Sequence, residues 1–430
     1  MYNSQIRIKM NTIKQKVISI ICRAEKCNEA TVAYFGSGAF WLALAQGMGA
    51  LSAFIVTALL ARLLPPEYFG EYRFVLSLVP VLAVFTLPGV GTALTKAVAQ
   101  GGSPKLGTLL SFKIKWGLAS AAVSALLSFY YFAQGNETLG YSFLIASLFM
   151  PFYEVFFIYS FYLKGRRDFK RSTFYEAFSR IFQALLIVAV ATVWDSVEAL
   201  VFAFFAGKLI SEYLAYVKTE QKDDKDQGLE KSILKESIPL SLSALFNIVA
   251  NNADKILVWH FFGAKVLAVY IVITIFPIQI SNILHQIINQ LLFIKMSEQK
   301  TRKVAYTKQL LIYILALGVL AVPAYGAYII LFPYIFPIYA KYTQYLYLTI
   351  PVFITLPTLH MSWYQLFLSG KIKYATSVHA LRAILTALGI YVSYIIWGDL
   401  SATFVALAVA LITTLTISIS ALSLQSKSLN

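Results

Sequence analysis

The sequence predicts an all-α polytopic membrane protein. Three observations carry this: scarce charge, a row of apolar stretches of bilayer-crossing length, and basic residues confined to alternate connections. Of 430 residues, 59% are hydrophobic and 13% are charged, against roughly 25% charged in a soluble domain. A chain this poor in charge cannot cover a water-facing surface, but it can face lipid.

A spanning helix needs about 20 mostly apolar residues. Twelve stretches qualify, at about 38–61, 74–95, 114–133, 139–163, 173–194, 197–217, 238–259, 267–293, 309–331, 345–368, 374–397 and 401–423. No gap between them would hold a soluble domain. The longest reads KTEQKDDKDQGLEKSILKES, a charged linker at mid-chain. The expected organisation is a tail over 1–37, six helices over 38–217, the linker over 218–237, six helices over 238–423 and a tail over 424–430. Residues 1–37 lack the long apolar core and small-residue cleavage site of a signal peptide. Cys22 and Cys27 lie in this basic tail with no His or acidic cluster beside them, so they read as unpaired thiols rather than a metal site.

Orientation follows from the loops, because cytoplasmic loops are enriched in Lys and Arg. With both termini inside, the inside segments hold 28 basic residues, whereas the outside segments hold only Arg62, Arg73, Lys265 and Lys341. A miscounted helix would invert every later loop and spoil this contrast. The net charge of +16 is therefore topological. It faces anionic lipid headgroups, and nucleic acid is not an expected partner.

Two sets of six helices around a hydrophilic linker suggest an internal repeat, and both sets start on the same side, so the repeat is parallel. LLARLLPPEYFGEYRFV (59–75) and LVWHFFGAKVLAVYIVI (257–273) share a helix, short turn and helix register, with Tyr72 on Tyr270. ARLLPPEYFGEY with PGVGTAL at 88–94 resembles the first helical pair of the Wzx-type O-antigen and polysaccharide flippases of the MOP superfamily. NNADKILVWHFFGAKVLAVY at 251–270 is similar to the start of that family's second lobe. The resemblance implies two six-helix lobes around a central cavity. It also implies transfer of an undecaprenyl-diphosphate-linked oligosaccharide, in lipopolysaccharide or other surface-glycan synthesis, from the cytoplasmic to the periplasmic leaflet of a bacterial inner membrane. Other glycan-assembly membrane proteins are possible partners under this resemblance.

The diphosphate and sugars of such a lipid cannot cross hydrocarbon unaided, because their desolvation is too costly. Ionisable residues inside spans are themselves costly, so each is a functional candidate. Lys208 in span 6 and Arg382 in span 11 place one cation in each half, as an anion site between halves requires. Arg382 can grip phosphate in bidentate fashion, while Lys208 acts as a point charge. Lys208 also has Glu212 four residues on, so a local pair is the competing reading. Arg180 has the same alternative with Glu176. Asn247, Asn251 and Asp254 share one face of span 7, beside Lys255. Gln279, Asn282, Gln286 and Asn289 share one face of span 8. Cavity lining and interhelical hydrogen bonding both suit such stripes. Asp254 and the unpaired Glu154 are candidates for binding a coupling H⁺ or Na⁺, unless a base on another helix neutralises Glu154. No metal or organic cofactor is expected. His360 and His379 read as structural.

Two rivals stand beside the flippase. A drug or metabolite antiporter of the same superfamily would favour acids in its passage over these cations. A membrane glycan polymerase or ligase would need a sizeable external loop, and the outside loops are short.

Overall fold

A computed structural model describes residues 29–219, 228–298, 306–368 and 372–428. These residues form an all-α bundle. Its first half holds α1 (Glu29–Leu63), α2 (Pro66–Leu82), α3 (Gly89–Ala99), α4 (Leu106–Ala133), α5 (Glu137–Phe149), α6 (Ile158–Gly165), α7 (Phe169–Val193) and α8 (Val197–Val217). The second half holds α9 (Leu229–Glu298), α10 (Tyr306–Ile335), α11 (Ile350–Leu368), α12 (Ile372–Ile396) and α13 (Leu400–Ser428).

The local chemistry of each start is ordinary. Pro66 opens α2, where a missing N–H costs nothing. Asn136, Asp168 and Ser196 cap α5, α7 and α8 by accepting from Leu139, Arg171 and Ala199 backbone N–H groups, which satisfies donors the helix leaves orphaned. Within α9, Gly263 has φ 82° and ψ 177°, a conformation open essentially to glycine alone. It folds one continuous segment into two spans with almost no loop.

Nine helical segments among the described residues are long and apolar enough to cross a bilayer, and one of them, Leu229–Leu284, holds predicted spans 7 and 8. The chain is a multi-pass membrane protein. Span 10 appears as α11, preceded by a 3-10 segment, Pro337–Thr349. Spans 2 and 4 are each broken. Span 2 passes from α2 through a 3-10 turn to Leu87, at φ 55°, and restarts as α3 after Pro88. Span 4 ends at Phe149, turns through Met150–Phe152, and restarts at Ile158.

Non-helical backbone at membrane depth needs partners, since lipid offers none. One face of α4 supplies one at the end of α2 and also ties down α5. Ser120 donates to the Leu82 carbonyl at 2.8 Å, Ser124 to Phe143 at 2.9 Å and Ser128 to Gly140 at 2.7 Å. Gly117 on the same face lies so close to the Pro151 backbone that a Cβ would sit 2.8 Å from its Cα.

Helical ends depart from expectation at the tails and linker. Residues 1–28 and 220–227 lie outside the described residues, but α1 already begins at Glu29, α9 at Leu229, and α13 continues to Ser428. The 229–237 stretch is helical because Ile233 is buried in one cluster with Val90, Leu106, Leu109 and Tyr162.

The halves meet along α2, α3 and α9. On the face carrying the basic loops, Gly89 N–H donates to Ser241 Oγ at 3.0 Å, Lys96 pairs with Glu236 at 2.8 Å, and the Lys105 N–H donates to Glu230 at 2.7 Å. On the opposite face Phe74 stacks on Trp259 at 3.9 Å, Lys265 pairs with Glu67 at 3.2 Å, and Arg62 donates to the Ile335 and Tyr334 carbonyls. Gly70 touches the Ala264 backbone there, with no room for a side chain.

Candidate functional site

Two clusters of charge lie inside the bundle, one in each half. The first gathers at the break in span 4. Glu154 has φ 56°, a left-handed conformation that costs a non-glycine residue about 1–2 kcal/mol. The break frees its carbonyl, which accepts from Lys113 Nζ at 3.0 Å. Its carboxylate, whose side chain is 43% exposed, stands 3.7 Å from Lys208 Nζ. Lys208 in turn pairs with Glu212 at 2.8 Å, where the acid is 3% exposed. The Lys208 ammonium also lies 5.0 Å from the centre of the Tyr153 ring. Two ammonium groups and two carboxylates thus share one site, buried at Lys113 and Glu212 and open at Glu154, and their formal charges cancel.

A neighbouring pair forms near the basic face. Glu176 is bound by Lys164 at 2.8 Å and accepts from Ser160 at 2.5 Å and Ser172 at 3.0 Å. Lys164, rather than Arg180, is therefore the closest cation to Glu176. The Arg180 guanidinium instead lies on Gly49 of α1, filling the space a Cβ would occupy.

The second cluster is built on α9 and α12. Arg382 is buried, 2% exposed, and donates from Nη2 to Asn251 Oδ1 at 2.5 Å. Its Nε is buried with no partner. Asn251 donates to Asn247 Oδ1 at 3.1 Å, so the predicted polar face of span 7 is joined by its own hydrogen bonds. Asp254 lies at the centre. It accepts from Tyr270 Oη at 2.7 Å, pairs with Lys255 at 3.1 Å and attracts the Arg382 charge. Lys255 also donates to the Asn251 carbonyl at 2.5 Å. Two cations against one acid leave this cluster formally positive.

Among the described residues, no hydrogen bond or ion pair joins the two clusters, so Lys208 and Arg382 are each held within their own half. For Lys208 the competing reading, a pair with Glu212, is what the geometry holds. For Glu154 it is likewise the base on another helix. Gln279 is half-buried and Asn282 exposed, while the side chains of Gln286 and Asn289 fall outside those described. His379 is buried.

Sequence reasoning missed three participants. Lys113 was placed in a loop, but α4 begins at Leu106 and buries it to 4% exposure. The signal was the stripe Lys113, Gly117, Ser120, Ser124 and Ser128, at helical spacing on one face. Tyr270 stood only as a repeat anchor, and Glu212 only as a neutralising neighbour. Arg73, counted in an outside loop, sits inside α2 with its Nε buried.

A helical bundle with nine described segments of bilayer-crossing length and charge held inside each half defines a multi-pass membrane protein. The family described as polysaccharide biosynthesis protein matches residues 35–293, and the chain belongs to that family. No curated protein sequence matches it. Its fold is shared with solved transporters. The MATE multidrug transporter DinF-BH aligns with a TM-score of 0.64 at 12% identity, over 91% of this chain and 95% of its own. The inward-facing conformation of a multidrug resistance MATE family transporter of the MOP superfamily aligns with a TM-score of 0.59 at 12% identity, over 91% and 95%. An outward-facing conformation of such a transporter gives 0.57 at 12%, over 93% and 96%. At such identity the likeness establishes the fold alone.

Proposed function

We propose that the protein is a flippase, not an enzyme. It moves an undecaprenyl-diphosphate-linked oligosaccharide from the cytoplasmic to the periplasmic leaflet of a bacterial inner membrane by alternating access, with both termini cytoplasmic. The observation that carries this reading is Arg382. A buried guanidinium with one bond to an exposed Asn251 and an unpartnered Nε keeps donors in reserve for a second anion. A diphosphate offers pairs of oxygens for the bidentate match that the planar guanidinium fork prefers. Asn247, Asn251 and Lys255 complete the polar surround, and Gln279 and Asn282 extend it along the next span. In the first half Lys208 is already neutralised, so its part is to hold the site's geometry and attract the headgroup weakly.

Of the two candidate coupling acids, Glu154 suits H⁺ or Na⁺ better. It is the more exposed, and its binding partner Lys208 can turn wholly to Glu212 when Glu154 is neutralised. Asp254 is tied by Tyr270, Lys255 and the nearby Arg382. Membrane lipids and other glycan-assembly membrane proteins are the expected partners.

The test is a deletion strain complemented with wild type, Arg382→Ala or Arg382→Lys. The expected result is that Arg382→Ala lowers surface glycan at least tenfold and accumulates its lipid-linked precursor, with Arg382→Lys between. Normal surface glycan in the deletion strain, with drug sensitivity as its sole defect, would sink the flippase in favour of an antiporter.

A further inference from the structure

A groove of about 760 Å³ runs between α1 and α7 at the basic face, with Trp41, Lys170 and Phe174 at its mouth. A second hollow of about 360 Å³ continues it toward the opposite face, reaching Leu59 and Val188. The two share Met48, Ile181 and Leu185, so they are one trough. Its walls are apolar and outward-facing: Leu51 is 60% exposed and Leu185 66% exposed. Behind it the helices are closed by the Thr173 hydroxyl donating to the Trp41 carbonyl at 2.9 Å and by Arg180 lying on Gly49.

Length and charge narrow the occupant. From Trp41 to Leu59, and from Lys170 to Val188, each wall rises about 27 Å at 1.5 Å per residue. A phospholipid acyl chain has only its own leaflet, about half of a roughly 30 Å hydrocarbon core. Phospholipid chains could fill the trough only end to end, one from each leaflet, with a headgroup at both ends. The trough's charge is at one end: Lys170, set 6.0 Å from the Trp41 ring centre, and Arg171, which donates to the Lys218 carbonyl at 3.4 Å and lies 4.0 Å from Asp168. An anionic headgroup at this mouth with a very long apolar tail is the complement.

We propose that the α1–α7 trough seats the polyprenyl tail of the lipid-linked cargo, with its diphosphate first met by Lys170 and Arg171. This rests on the flippase reading and adds where the tail lies while the headgroup moves. The tail then stays on the lipid-facing side of the first half and never enters the space between halves.

The test is binding of undecaprenyl diphosphate to the purified full chain, measured for wild type, Leu185→Trp and Ile55→Trp. Leu388→Trp serves as a control at an exposed apolar position of α12. Geranyl diphosphate, with the same headgroup and a short tail, is the second probe. The expected result is at least tenfold weaker binding of undecaprenyl diphosphate by both trough variants, unchanged binding by the control, and little change for geranyl diphosphate in any. A photo-crosslinking p-benzoylphenylalanine at position 185 should label the undecaprenyl chain. Equal binding by all variants overturns the trough while leaving the flippase intact. So does crosslinking to phosphatidylglycerol or to the chain's own N-terminal peptide instead. A wild type with no affinity for undecaprenyl diphosphate overturns both.

Discussion

The two buried clusters differ in how they are balanced. In the first half, Lys113, Lys208, Glu154 and Glu212 cancel, and each has a near partner. In the second half, Arg382 and Lys255 face one acid, Asp254, and an Arg382 donor is left over. A closed charge web is a structural commitment, because removing one member strands another in low dielectric. An open one retains capacity for a ligand. The contrast teaches that charge inside the bilayer is divided here between fixing a broken helix and a cluster whose Arg382 Nε has no partner.

Substitutions can break or sharpen this contrast. Lys208→Ala should have the largest effect on stability, about 3–5 kcal/mol, because it leaves Glu212 buried beside Glu154. Lys208→Ala with Glu212→Ala should recover much of that loss in thermal unfolding of the detergent-solubilised protein. No recovery would mean the web is not closed as described. Arg382→Ala should cost less stability, since Asp254 keeps Lys255 and Tyr270, while transport falls at least tenfold. If Arg382→Ala unfolds the protein as Lys208→Ala does, the distinction between the halves collapses. Tyr270→Phe removes one hydrogen bond to a carboxylate, so unfolding measurements should show about 1.5–3 kcal/mol. Smallest is Lys96→Ala. Its pair with Glu236 spans the halves but is about half exposed, so its loss should change stability by less than about 1 kcal/mol.

Much of the fold was legible because the bilayer imposes a length on every span, so all-α spans could be read from apolar stretches alone. The breaks at Leu87 and Glu154 were less legible. Pro88 and Pro151 were visible, but proline alone does not say whether a span bends or interrupts. The site was legible in its second half, where Asn247, Asn251 and Asp254 repeat at helical spacing and Arg382 has no acid on its own helix. It was obscured in the first half because Glu154 and Lys208 lie 54 residues apart. Spacing along one helix cannot reveal a pair formed between two. Lys113 was hidden by an apolarity criterion, which excludes from a span the very residue that neutralises its interior.

The closed web also sets an order of events during synthesis. Lys113 and Glu154 leave the ribosome well before Lys208 and Glu212, and at about 5–20 residues per second the delay lasts roughly 3–10 s. Through that interval the interrupted span 4 holds an acid whose eventual counter-ion is still being made. The nascent first half must therefore stay close to the insertion machinery, or bring Lys113 directly to the Glu154 carboxylate, until α8 arrives and locks the bundle.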